Sequence, residues 1–129
     1  MTAKKKVVYF TDKELACKHS GENGMDADFV KLLIKIRKEC GFGFPISSAY
    51  RSPQHPIEQR KEKAKAGAHS TGKAVDILVS GEQALEVIRV AQKHGIQRIG
   101  IKQKGRTRFI HLDACTEEDG FTCPAIWSY

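Results

Sequence analysis

The run Ala74-Val-Asp-Ile-Leu-Val79 constrains this chain more than any other stretch, because it sets one carboxylate inside otherwise apolar sequence. Such a run reads as a strand near the middle of a sheet. Alternation puts Ala74, Asp76 and Leu78 on one face and Val75, Ile77 and Val79 on the other. A carboxylate flanked by Val75 and Ile77 must be paired, since burying it alone is expensive. Any fold for this chain therefore has to bring a partner to Asp76, and a metal ion is one that resolves the cost.

Two histidines are placed to complete such a site. His69 lies in the turn Gly67-Ala-His-Ser-Thr-Gly72, where a loop ligand folds back onto a strand ligand, and Gly72 and Ala74 clear space between it and Asp76. His111 sits in a second apolar run, Phe109-Ile-His-Leu112, and Asp113 shares its face. Two imidazoles and one carboxylate suit zinc and leave a fourth position for water. Asp113 is placed to orient His111 through the second ring nitrogen. Taken singly, each residue has an ordinary reading: His69 an exposed turn residue, Asp76 a strand-end cap, His111 a satisfied core imidazole. Together they favour a metal centre.

Arg51 follows Ser47-Ser-Ala-Tyr50 at a strand-to-loop exit. An arginine there either makes a surface ion pair or holds a substrate carboxylate or oxyanion. His55 reads as a loop residue lining the cleft, and His94 as a favourable charge at a helix C-terminus.

With 129 residues, 40% hydrophobic and 29% charged, the chain fits one globular domain. No apolar stretch approaches the roughly 20 residues that span a bilayer. The N-terminal Met1-Thr-Ala-Lys-Lys-Lys6 leads into no apolar signal core, so synthesis in the cytoplasm is expected. The net charge of +7 favours anionic polymers as partners. Its densest cluster, residues 60–65, reads mainly as a solvated helix face. Neither a membrane nor nucleic acid is an expected partner, the latter because no basic recognition helix or stacking motif is present. Cys17, Cys40, Cys115 and Cys123 show no Cys-x-x-Cys spacing and are expected to be reduced; Cys115 and Cys123 flank a loop and would pair only in an oxidising compartment.

The remaining chain predicts helices first and strands afterwards. Thr11-Asp-Lys-Glu14 is a capping box opening a short helix that fades near Lys18. Asp26 caps a helix to Cys40, with Phe29, Leu32, Leu33 and Ile36 on one face and Gly41 as its stop. Residues 44–49 read as a strand, followed after a loop by a polar, helix-like segment to Ala66. Ser80 and Gln83 predict a second capping box on a helix to His94. Arg98–Ile101 and Arg108–Leu112 predict a hairpin, and the aromatic tail through Trp127 and Tyr129 is expected to dock. The fold class is α+β: a small, largely antiparallel sheet with helices packed on one side.

With these residues in view, the chain resembles the zinc D-Ala-D-Ala metallopeptidase group, which includes murein carboxypeptidases and endopeptidases and the related hedgehog signalling domain. The resemblance is carried by Ser48-Ala-Tyr50-Arg51, His69 to Asp76 with Gly72 and Ala74, His111-Leu-Asp113, and Trp127. The stretch from Phe10 to Cys17 and the helix at 26–40 are similar to small phage and bacterial members. The resemblance implies that His69, Asp76 and His111 hold zinc, that Arg51 stabilises the tetrahedral intermediate or binds the peptide, and that Ser48, Tyr50 and His55 line the substrate. Two positions depart from the pattern: Gly67, where many relatives carry serine, and Arg108, where several carry an acid. An arginine cannot abstract a proton, which leaves Asp113 as the candidate base.

The activity implied is hydrolysis of D-amino-acid peptide bonds in peptidoglycan, as an endopeptidase at the D-Ala–diaminopimelate cross-link or as a DD-carboxypeptidase. A non-catalytic, zinc-stabilised binding module is the alternative. The expected partner is the peptidoglycan peptide stem, engaged by a monomer. The expected place of action is the periplasm or cell wall, reached by phage-type release or on a virion.

Overall fold

The computed structural model describes residues 8–59 and 67–129. The basic cluster at 60–65 and the leading Met1–Lys6 lie outside the described residues.

Helix α1 spans Asp12–Leu15, entered through the expected capping box. Thr11 Oγ1 accepts from the Glu14 N–H at 3.1 Å, and Glu14 Oε1 accepts from the Thr11 N–H at 3.1 Å. Helix α2 runs Ala27–Cys40, with Asp26 accepting from the Phe29 N–H and Gly41 closing it at φ 78. Its buried stripe is Phe29, Leu33 and Ile36, one turn apart at each step. Strand β1 is Ile46–Ser48, α3 is Pro56–Gln59, and a 3-10 turn covers Ala68–Thr71. Strand β2, Ala74–Ile77, is buried throughout.

Helix α4, Gly81–Lys93, begins after Ser80, but the expected Ser80–Gln83 capping box does not form. The Ser80 side chain makes no cap hydrogen bond, and the chain turns into the helix through Gly81 at φ 58. Strands β3 (Arg98–Lys102) and β4 (Phe109–Asp113) form the expected hairpin. The tail does dock, as a fifth strand β5, Ala125–Ser128.

The sheet order is β1-β2-β4-β3-β5. Three pairings are antiparallel, and the β3–β5 pairing is parallel, so the sheet is mixed. Val75, Ile77, Ile99, Ile110 and Leu112 join Phe29, Leu33 and Ile36 of α2 and Val87 and Val90 of α4 in one buried core. All four cysteines are free, so Cys115 and Cys123 are not joined. Cys115 Sγ lies 3.4 Å from Thr71 Oγ1, while Cys123 Sγ donates to Gln97 Oε1.

The opposite face carries the polar residues in register. One row across the strands is Ala74, Asp113, Arg98 and Ala125; the next is Ser48, Asp76, His111, Gly100 and Trp127.

Candidate metal centre

His69 reaches Asp76 because the turn before β2 is pinned on both sides. Gly72 adopts φ 77, and a Cβ there would stand 2.2 Å from the Gly24 carbonyl oxygen. Only glycine fits both demands. The Asp26 N–H donates to the Gly72 carbonyl, and the Arg51 N–H donates to the His69 carbonyl.

Each imidazole is then oriented by its outer nitrogen. His69 Nδ1 lies 2.7 Å from the Ala49 carbonyl oxygen, which accepts only, so the proton is assigned to Nδ1. The lone pair on Nε2 therefore points inward, 3.3 Å from Asp76 Oδ1. His111 Nε2 lies 2.6 Å from Asp113 Oδ2, and its Nδ1 faces Asp76 Oδ1 at 2.8 Å. His69, Asp76 and His111 each offer one ligand atom within 4.8 Å of the others, and the atoms that face one another are His69 Nε2, Asp76 Oδ1 and His111 Nδ1. With both outer nitrogens committed as donors, the cluster presents three acceptors to one point. A shared proton or a metal ion meets that demand for positive charge, and the donor set of two imidazoles and a carboxylate fits a divalent cation.

The titration behaviour agrees with this geometry. Burial pushes the Asp76 carboxyl up, but the facing His111 and His69 rings more than reverse it and hold the group well below the usual carboxylate range. Burial pushes His111 down, while hydrogen bonds to Asp113 and Asp76 raise it above its ordinary value.

Asp113 is fully buried. Its Oδ1 accepts from Arg98 Nε at 2.7 Å and from the Cys115 N–H at 3.1 Å, and its Oδ2 accepts from His111. Both oxygens are thus engaged on the side of the His111 ring away from Asp76. That placement suits holding the imidazole, which is one of the two roles expected of Asp113 from the sequence, more than collecting a proton in the open cleft, which is the other.

The other candidates divide into two groups. Ser48 pairs with Asp76 across β1 and β2, and its Oγ accepts from Arg51 Nη2 at 3.1 Å, so both sit at the edge of the cluster. Tyr50 instead packs its ring against Gly24, where a Cβ would come within 2.5 Å of it, and so supports the 23–26 loop. His55 lies edge-on to His19, with centroids 5.7 Å apart, and its Nδ1 accepts from the Ile57 N–H.

Sequence reasoning missed the Ala49 carbonyl and Arg98. A backbone carbonyl leaves no trace in a sequence. Arg98 had one signal: it is the first polar position of the alternating run Arg98-Ile-Gly-Ile-Lys102, whose register partner is Asp113.

Fold and site together define a small α+β domain with a His–Asp–His donor set, suited to a metal ion, on the open face of its sheet. A family model described as Peptidase M15 matches residues 8–113, and the chain belongs to that family. It is thereby a metallopeptidase-family domain in which the three candidate ligands and their outer partners all fall inside, or at the edge of, the matched segment. No curated protein and no solved structure gave a significant match.

Proposed function

We propose that this protein is a zinc-dependent peptidase that hydrolyses D-amino-acid-containing bonds of peptidoglycan stems, at the D-Ala–diaminopimelate cross-link or the terminal D-Ala. The observation that carries the reading is the convergence of His69 Nε2, Asp76 Oδ1 and His111 Nδ1 in an M15 chain, each imidazole fixed by an outer acceptor. Zinc bound there would polarise a scissile carbonyl and lower the pKa of its water. The chain's own residues supply orientation. Asp113, itself clamped by Arg98, acts as a positioning residue for His111. Ala49 does the same for His69. Arg51, next to His69 and Ser48, is placed to bind a substrate carboxylate or oxyanion.

The proposed partner is the peptide stem, engaged by a monomer whose positive charge suits an anionic wall polymer. The proposed place of action is the periplasm or cell wall after phage-type release, or on a virion. Among the described residues, no helix is long and apolar enough to cross a membrane.

One observation favours a second reading, a non-catalytic zinc-stabilised module. Arg108 stands three residues before His111 with its Nε donating to the Gly105 carbonyl, and Asp113 is buried. Neither offers a free carboxylate to the cleft. Muropeptide mass spectrometry of sacculi treated with the protein, with and without chelator, separates the two. Chelator-sensitive conversion of cross-linked dimers to monomers, or loss of terminal D-Ala, supports the peptidase. Unchanged muropeptides from zinc-loaded protein support the module.

A further inference from the structure

Strand β5 lies beyond the segment 8–113 that carries the family match, yet it completes the row of residues containing two of the ligands. Along that row, Gly100 separates His111 from Trp127. A Cβ on Gly100 would stand 2.6 Å from Trp127 Nε1 and 2.7 Å from Cε2, so the indole occupies the space that any other residue would fill. There the ring lies 5.2 Å from the His111 imidazole, and the Arg98 guanidinium sits 4.8 Å from its centre. His111 is thus surrounded by Asp76 at Nδ1, Asp113 at Nε2, His69 edge-on at 5.1 Å and Trp127 on its remaining flank.

Two residues further on the same face, the Tyr129 ring packs on Phe109 at 5.0 Å and remains 57% exposed. Arg51 borders the cluster from the His69 side, and the two aromatics border it from the His111 side.

We propose that Trp127 and Tyr129 form a substrate-contacting wall of the metal cleft. In it Trp127 is a positioning residue that packs His111, and Tyr129, seated on Phe109 with its ring exposed, donates its hydroxyl proton in a hydrogen bond to a carbonyl or carboxylate oxygen of a bound peptide. The Tyr129 half rests on the peptidase reading above; the Trp127 half rests on the metal centre alone.

Trp127 is the single tryptophan of the chain, which makes it a built-in reporter. Metal-stripped full-length protein is titrated with Zn2+ while indole emission is followed. A saturable change is expected in the wild type and is lost in His69→Ala. Gly100→Ala, which evicts the indole, reduces the amplitude and weakens zinc affinity measured by chelator competition. Zinc binding that leaves Trp127 emission unchanged overturns the positioning role.

The second arm is calorimetric binding of a stem pentapeptide ending in D-Ala-D-Ala to the zinc-loaded protein. Tyr129→Phe weakens it roughly three- to tenfold, the loss of one hydrogen bond, with zinc affinity and Tm unchanged. Wild-type affinity in Tyr129→Phe overturns the phenol's role. A wild-type protein that binds zinc but no pentapeptide sinks the substrate reading and the phenol's role with it, while the emission arm still decides the Trp127 role.

Discussion

On β4, Ile110 and Leu112 point into the helix-covered core, while Phe109, His111 and Asp113 point to the other face. The two sets are held by different physics. The core side is apolar and shared among many neighbours from α2, α4 and three strands. Each group there contributes by area removed from water, which is non-directional and tolerant of volume-conserving exchange. The site side is a chain of single partnerships: Ala49 to His69, His69 and His111 to Asp76, His111 to Asp113, Asp113 to Arg98. No buried side-chain polar atom among the described residues lacks a hydrogen-bond partner. Satisfaction of that kind is worth little in net energy but is costly to break, because the abandoned partner stays buried. One face should therefore fail gradually and the other abruptly.

The largest effect is expected at Asp113. Asp113→Ala strands the Arg98 guanidinium and frees the His111 ring, costing about 3–5 kcal/mol in urea unfolding and roughly 10- to 100-fold in zinc affinity. Equal zinc affinity in the variant would break the contrast between the faces. Zinc itself comes next. At free zinc of about 1,000 times its Kd, the loaded protein should gain about 4 kcal/mol over the chelated one, and His69→Ala should abolish that gain in a thermal shift assay. Leu112→Ala, directly between two site residues but facing the core, should cost ~3 kcal/mol. Its zinc affinity should stay within about threefold of wild type; a loss like that of Asp113→Ala would show that the faces are not separable.

The pH response sharpens the same contrast. For Asp76 and Asp113, burial raises the carboxyl and hydrogen bonding to His111 more than reverses it, so both are depressed. A depressed carboxylate contributes stability above its unfolded value near about 4 and loses it as pH falls through the folded value. Metal-free protein should therefore weaken below about pH 4, by up to ~1.4 kcal/mol per pH unit per carboxylate. Asp113→Asn should flatten that acid limb in denaturation curves taken across pH. His111 is raised and carries the opposite sign. Its contribution is full below about 6.5 and is lost as pH rises through the folded value. Thr11→Ala, remote from both faces, should cost only about 1 kcal/mol as a lost helix cap, read as a small shift in Cm with unchanged zinc affinity.

The features legible in the residues alone were local. Asp26 and Gly41 bound α2 because a cap bonds within three or four residues of itself. Alternation on residues 74–79 and 109–113 placed Asp76, His111 and Asp113 on one face because the strand period is two regardless of context. His69, Asp76 and His111 were legible as a set, since small residues and a buried carboxylate are written in the chain. The remaining features depend on register across distant segments. Asp113 meets Arg98, 15 residues away, and both its oxygens are engaged by buried partners. His69 takes its tautomer from a backbone carbonyl 20 residues back. Ser80 loses its capping box to a left-handed glycine. The short tail 125–128 has too few residues to announce a strand, and it becomes one only because β3 presents an open edge, where Gly100 leaves room for Trp127 beside His111.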